Sequence, residues 1–356
     1  MQNHEPKPAA TPSPDKGRYR PGDVLAGRYK LLEQIGVGTT AVVWSTEPLA
    51  PIPHPLAIKL LRPEADTRET RASFQAEAQA LAMLNHPNIV GMFNAGSDAF
   101  GRPFLVLQRV GGTPITDFCD RARLTVADRL QLFTAVCDAV QHHHQKGIVH
   151  RDLKPTDILT TWCDGRPFPK LIDFGLAKGM VDSSLLAGIK PASFPDEILG
   201  TPAYMAPEQA ENCGLYVDAR ADVYSLGVIL YELITGALPI PADQFHRDDV
   251  DQVKRLLKEY QPLKPSAYLK GSSNLAEVAA RRSTSPSRLI RTARGDLDAI
   301  IVRCLAKRGD HRYPSAKALA DDLRSFLDGL PLLSLPPTWM SRLRNLFSRH
   351  PLSVIR

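Results

Sequence analysis

Three groups of residues in this 356-residue chain have types and spacings suited to chemistry. The first is Ile35-Gly36-Val37-Gly38-Thr39-Thr40-Ala41-Val42-Val43, a glycine-rich turn between two apolar runs. Glycine lets a backbone approach phosphate oxygens and present its N–H groups, because no Cβ stands in the way. A G-x-G pair by itself often marks only a hairpin. Here the following Val42-Val43-Trp44 reads as a strand and not a helix, which counts against a dinucleotide-binding βαβ unit. The second group is Lys59, inside the apolar run Leu56-Ala57-Ile58-Lys59. A buried ammonium is costly unless paired, and Glu77, in a helical stretch 18 residues on, is its candidate partner. Taken alone, Glu77 would be part of a solvated helix face. The third group is His150-Arg151-Asp152-Leu153-Lys154-Pro155-Thr156-Asp157-Ile158-Leu159, with Asp173-Phe174-Gly175 starting 21 residues after Asp152. Carboxylates of this kind are hard oxygen ligands for divalent cations.

The ten-residue motif followed by Asp173-Phe174-Gly175 resembles the eukaryotic-type protein kinase family, and chance occurrence of both in this order is negligible. Gly200 to Glu208 resembles the segment that ends the family's activation loop. Asp222 sits where the family's buried helix binds the catalytic-loop backbone, and Arg312 where an arginine pairs with the Glu208 equivalent. These matches run from residue 28 to about 328. The resemblance implies an α+β, bilobal kinase fold: a small β-rich lobe over 28–109 and a larger helical lobe over 110–328. It also implies transfer of the γ-phosphate of ATP to a protein hydroxyl. In that scheme Asp152 accepts the substrate proton, Lys154 neutralises charge on the moving phosphoryl group, and Lys59, oriented by Glu77, holds the α/β-phosphates. Asp173 and Asp157 are the implied metal ligands, for Mg²⁺ or alternatively Mn²⁺. The implied nucleotide contacts are Ile35, Gly36, Gly38, Val43, Ala57, Lys59, Glu77, Leu107, Gln108, Val110 and Leu159. Lys154 together with Thr201 resembles serine/threonine rather than tyrosine kinases. Gln145 to Val149, Pro169 to Ile172 and Gly295-Asp296-Leu297-Asp298 look most like bacterial members.

Three positions depart from the family pattern. Asp157 stands in place of an asparagine that binds the second metal ion. Ala41 replaces the third glycine of the loop, a small change. Gln108-Arg109 follow the gatekeeper position Leu107, where an acidic-aromatic pair is common. Because of Asp157, a nucleotide-binding scaffold without turnover stays open as the alternative. Arg151 before Asp152 implies control by phosphate on the activation loop, with Ser183, Ser184, Ser193 and Thr201 as the hydroxyls available. Ser193 is the expected partner of Arg151, and Thr201 is expected to buttress Asp152.

The elements that must carry these residues follow from periodicity. Residues 1–21 hold five prolines among polar residues and read as part of a disordered leader, taken here to residue 27. Short apolar runs at Tyr29–Ile35, Ala41–Thr46, Leu56–Leu61, Val90–Ala95 and Phe104–Val110 predict strands. Phe74, Ala78, Leu81 and Leu84 share one helical face. Val126 to His144 recur at helical spacing, and Asp222 to Thr235 is apolar nearly all round, as in a buried helix. Leu297–Leu305 and Ala316–Leu327 look like closing helices, so a sheet-rich part precedes a helix-rich one. Residues 262–294, rich in Ser and Pro with seven basic residues against the single acid Glu277, read as a flexible insertion. Residues 329–356 carry four arginines and no acid and could form a basic amphipathic tail.

Composition adds limits. The formal charge of +6 is not gathered into one dense patch, so nucleic-acid binding is not expected. Any membrane association is expected only through the basic tail. Cys119, Cys137, Cys163, Cys213 and Cys304 lie far apart and read as reduced thiols of a cytoplasmic protein. No signal peptide or membrane span is expected. His142-His143-His144 point to different helix faces and cannot converge on one metal, with His144 on the packed face and the other two exposed.

Overall fold

The computed structural model describes residues 18–49, 55–173, 202–211, 217–245 and 249–334. These fall into two compact units, divided as residues up to 78 plus 92–109, and residues 79–91 plus 110 onward.

The first unit is built on a six-stranded antiparallel sheet, ordered β1-β2-β3-β4-β6-β5. Its strands are β1 (Val24–Leu25), β2 (Tyr29–Val37), β3 (Ala41–Pro48), β4 (Leu56–Leu61), β5 (Met92–Ser97) and β6 (Pro103–Gln108), with helix α1 (Arg68–Ala82) between β4 and β5. Side chains alternate across a strand, so the register sorts them into two faces. Trp44 pairs with Ile58 and Ile58 with Val106, while Leu60 pairs with Phe104. This face buries Leu31, Trp44, Leu56, Ile58, Leu60, Phe104 and Val106 in one cluster. On the other face Gly36 pairs with Val43, Val43 with Lys59, and Ala57 with Leu107.

Residues 18–27 are ordered, which corrects the expectation of a leader reaching residue 27. Leu25 is fully buried in β1, and Tyr19 packs against the same cluster. The fourth predicted strand begins at Met92 rather than at Val90, because the Val90 N–H is committed to the Leu171 carbonyl at 2.9 Å.

The second unit holds a small sheet, β7 (Thr113–Pro114), β8 (Ile158–Cys163) and β9 (Arg166–Leu171), and the remaining helices. These are α2 (Ile115–Arg121), α3 (Val126–Gln145), α4 (Pro207–Glu211), α5 (Arg220–Thr235), α6 (Val250–Glu259), α7 (Pro265–Gly271), α8 (Leu275–Ala280), α9 (Pro286–Ala293), α10 (Asp296–Cys304) and α11 (Ala316–Leu327). Helix α3 starts with a capping box. Thr125 Oγ1 accepts the Asp128 N–H at 3.2 Å, and the Asp128 carboxylate accepts the Thr125 N–H at 3.3 Å. Helix α5 is buried from Ala221 to Tyr231 without a break, as its uniform apolarity requires. Gly227 allows α10 to pack closely against it, since a Cβ there would collide with that of Cys304.

The flexible insertion expected over 262–294 is instead three helices packed on the core. Pro265 and Pro286 occupy first turns, where a missing N–H is harmless, and Ser285 caps α9 by accepting the Arg288 N–H. Leu269, Val278, Ala279, Leu289 and Ala293 are buried. Arg282, 1% exposed, donates to the Ile234 carbonyl at 2.6 Å, and Arg129 donates to Leu233 at 3.1 Å. Two arginines therefore satisfy the orphan carbonyls that end α5. The start of the expected basic tail is also held, since Asp322 Oδ1 accepts the N–H groups of Leu333 and Ser334 at 2.7 and 3.2 Å. Residues 335–356 lie outside the described residues. Among the described residues no helix is long and apolar enough to cross a membrane.

Candidate active site

In the first unit the register brings the expected phosphate-side residues onto one face. Gly36, Val43 and Lys59 stand side by side across β2, β3 and β4, with Ala57 and Leu107 one step along. Ile35 is 43% exposed, Leu107 is buried, and Gln108, paired with Leu56, is half-buried. Lys59 Nζ donates to Glu77 Oε1 at 2.7 Å, and the carboxylate side chain is 5% exposed. Phe74, one turn before Glu77 on α1, places its ring 6.0 Å from the same ammonium. Neither glycine is demanded by the local fold. A Cβ on Gly36 would meet Val43 Cβ at 3.6 Å, and one on Gly38 would meet the Ala41 carbonyl at 3.4 Å, both at ordinary contact. With no local need for either glycine, the turn is compatible with close approach of a phosphate-bearing ligand to its backbone. Gly38→Ala is therefore expected to keep the melting temperature within about 2 °C while weakening nucleotide binding about threefold to tenfold. Paired thermal melts and nucleotide titrations check this, and equal affinity for both proteins would contradict it.

In the second unit the catalytic-loop motif forms the connection from α3 to β8. Asp152 Oδ2 accepts from Lys154 Nζ at 3.0 Å, and both side chains are about a quarter exposed, 21% and 26%. Asp157 is 4% exposed; its Oδ2 accepts the Lys154 N–H at 3.2 Å, and Oδ1 lies 3.6 Å from Lys154 Nζ. Burial pushes the Asp157 carboxyl up to about 6; His150 and Lys154 pull it down, and Asp173 and Asp152 push it further up. At pH 7 it remains mostly ionised. Burial alone would lower the Lys154 pKa, but Asp157, Asp152 and Asp173 outweigh it and raise it. Leu159, next along β8, pairs with Pro114 and Lys170, and Val110 is half-buried at the start of this unit.

The loop is pinned from below by Asp222 of α5. Its Oδ2 accepts the His150 N–H at 2.8 Å, and its Oδ1 accepts the Arg151 N–H at 2.8 Å. Arg151 is held at φ 66°, a left-handed conformation that non-glycine residues rarely adopt. Two partners fix that strained peptide: Asp222 at its N–H, and Gln209 Nε2, which donates to its carbonyl at 2.6 Å. His144 Nε2 meets Asp222 Oδ2 at 2.7 Å. Burial would raise the Asp222 carboxyl, but the hydrogen bond and charge of His144, with His150 behind, hold it below the usual carboxylate range. His150 Nε2 donates to the Asp173 carbonyl at 2.7 Å, which ties Asp173 to the loop. Glu208 takes Arg312 through two parallel contacts of 2.5 and 2.8 Å, and the arginine side chain is 0% exposed.

Sequence reasoning missed Gln209 and the task of His144. The first was invisible because its bond crosses 58 residues to a backbone atom. The second followed from reading three adjacent histidines face by face. His144 is packed as expected, its side chain 6% exposed against Asp222, but the structure corrects the other two, since His143 is fully buried and His142 half-buried. Burial, helped by His150, holds the His143 pKa well below its ordinary value. It stays neutral in the folded state while the unfolded chain protonates below about pH 6.5, so stability falls as pH drops through that value. Denaturant melts are expected to lose stability from this group below about pH 6.5, at a rate that approaches about 1.4 kcal/mol per pH unit only a unit or more lower. His143→Leu should flatten that part of the profile.

Among the described residues there is no cluster of three or more His, Cys, Asp or Glu side chains arranged for a metal. A Mg²⁺ ion serving phosphates needs only one or two carboxylates, however. The Asp173 charge raises the proton affinity of the Asp157 carboxyl, a like-charge tension that a divalent cation relieves, so the donor set fits. Phe174, Gly175, Ser183, Ser184, Ser193 and Thr201 lie outside the described residues.

Comparisons with known proteins identify a family for the chain. Residues 29–323 match the protein kinase domain, and the chain belongs to that family, with its α+β fold and its use of ATP and a divalent metal. Serine/threonine-protein kinases of bacteria are among its relatives. It is 32% identical to the serine/threonine-protein kinase PknB of Mycobacterium tuberculosis over 312 residues, covering 86% of this chain and 44% of that protein. It is also 32% identical to a probable serine/threonine-protein kinase of Streptomyces coelicolor over 313 residues, 86% of this chain and 41% of the other. The chain thus spans less than half the length of these curated relatives. The crystal structure of the Mycobacterium tuberculosis PknI kinase domain superposes with a TM-score of 0.59 at 26% identity, over 87% of this chain and all of that one.

Proposed function

We propose that the chain is an active serine/threonine protein kinase that moves the γ-phosphate of ATP to serine or threonine hydroxyls of proteins, itself included. The observation that supports this most is Asp152, held 3.0 Å from Lys154 on a backbone fixed by Asp222. The substrate hydroxyl gives its proton to the Asp152 carboxylate as its oxygen bonds to the γ-phosphorus. The bond from that phosphorus to the β-phosphate oxygen breaks, and ADP leaves. Lys154 balances charge on the transferred group, and Lys59, aimed by Glu77, holds the α/β-phosphates. Asp173 and Asp157 would hold Mg²⁺, or alternatively Mn²⁺, which neutralises the phosphate oxygens. Adenine-side contacts are assigned to Ala57, Leu107, Gln108, Val110 and Leu159, and the turn contacts to Ile35, Gly36, Gly38 and Val43.

Purified chain given ATP with either metal should phosphorylate itself or a generic basic protein. If ATP raises the melting temperature but no phosphate moves with either metal, the reading gives way to a nucleotide-binding scaffold. Cys119, Cys137, Cys163 and Cys304 are free thiols, which supports a reducing, cytoplasmic setting. Any attachment to anionic membrane is assigned to the basic tail over 329–356.

A further inference from the structure

On the sheet face opposite Lys59, the chain ahead of β1 forms a strap. Tyr19 lies against Arg102, whose Cζ is 5.6 Å from the ring centroid, and its hydroxyl donates to Asp98 Oδ2 at 3.4 Å. Arg18 Nη2 reaches Glu64 Oε1 at 2.5 Å. The other carboxylate oxygen, Oε2, lies 3.6 Å from Arg62 Nε. Arg62 in turn donates through Nη1 to the Gly38 carbonyl at 3.0 Å, and its own N–H goes to the Thr40 carbonyl at 2.9 Å. Beneath the strap is a cavity of about 280 Å³, lined by Arg18, Tyr19, Val42, Trp44, Arg62 and Glu64 among others.

A trans peptide is planar, so fixing the Gly38 carbonyl toward Arg62 fixes the Thr39 N–H in the opposite direction. That N–H belongs to the glycine-rich turn, and its aim decides what it can donate to. Gly38 N–H closes the turn on the Ala41 carbonyl at 2.8 Å, which leaves the Gly38–Thr39 peptide as the part that Arg62 orients. Glu64 is shared between two arginines. With Arg18 on one oxygen, Glu64 engages Arg62 only loosely, and the Arg62 guanidinium stays on Gly38. Without Arg18, the whole carboxylate is available to draw Arg62 away by a bidentate pair.

We propose that Arg62 is a positioning residue for nucleotide binding, and that the strap sets its strength through Arg18 and Glu64. This rests on the kinase reading above. The strap thereby couples the segment ahead of the sheet to the phosphate-binding turn without touching the nucleotide.

Calorimetric titration of the full chain with a non-hydrolysable ATP analogue and Mg²⁺ tests it independently of turnover. Arg62→Ala is expected to weaken binding about fivefold to tenfold, and Arg62→Lys to stay within about threefold of wild type. Arg18→Ala should weaken it about twofold to fourfold, and adding Glu64→Gln to Arg18→Ala should restore it. In steady state, Arg62→Ala should raise the KM for ATP by the same factor with kcat within about twofold, as for loss of uniform binding. Wild-type affinity in Arg62→Ala, or no restoration in the Arg18/Glu64 double variant, would overturn the proposal. Absence of nucleotide binding by the wild type would overturn the kinase reading itself, and this proposal with it.

Discussion

Asp152→Asn is expected to lower kcat for phosphoryl transfer by about 10²–10⁴-fold while leaving nucleotide affinity within about threefold. The substitution keeps the side chain's size and one oxygen for Lys154 Nζ, now 3.0 Å away, so the loop should hold its shape. What it removes is the carboxylate that takes the hydroxyl proton. Asp152 has no assigned contact with ATP, so binding should survive, and nucleotide-induced stabilisation in a thermal melt measures that. A variant that loses turnover and nucleotide binding together would place Asp152 in the frame of the site rather than in its chemistry.

Asp222→Ala is expected to be the most destabilising single change in the second unit, at about 3–5 kcal/mol. The side chain is completely buried and serves three partners: the N–H groups of His150 and Arg151, and the His144 ring. Truncation strands two backbone donors and removes the acceptor at the N–H of the left-handed Arg151, whose carbonyl Gln209 still holds. Such a loss is a large part of a typical total of about 5–15 kcal/mol. It should lower the melting temperature by about 10 °C and abolish transfer in whatever fraction stays folded. Asp222→Asn retains one acceptor and should fall between. Because the Asp222 carboxyl is held below its usual range, the wild-type contribution is fully present above about pH 3.9 and is lost only as pH falls below that. Acid loss near pH 6 therefore does not come from Asp222, and the depressed His143 contributes to it.

Much of the site was legible because its chemistry constrains residue types locally. A lysine inside an apolar strand needed a buried carboxylate, and Glu77 meets it at 2.7 Å. Asp152, Lys154 and Asp157 come from one short loop, and their spacing delivers their contacts directly. The partnership of Glu208 with Arg312, 104 residues apart, was legible only through the family resemblance. What escaped was support from residues that no local pattern marks, such as Gln209 at the Arg151 carbonyl and His144 at Asp222. The misread stretch over 262–294 failed for a different reason. Its serines and prolines match loop composition, although Pro265, Ser285 and Pro286 are helix-start signals, and Arg282 is buried as a helix cap. The strap was cut too late because a two-residue strand, Val24–Leu25, is too short to show any period.

The central claim is that this chain transfers phosphate to serine and threonine, and phosphopeptide mass spectrometry tests it most directly. Wild type and Asp152→Asn are incubated side by side with ATP and Mg²⁺, with a parallel series in Mn²⁺, and their phosphorylated residues are mapped. New phosphoserine or phosphothreonine in the wild type, absent from Asp152→Asn, is the expected result. Equal silence in both proteins and both metals, or phosphate confined to tyrosine, would contradict it.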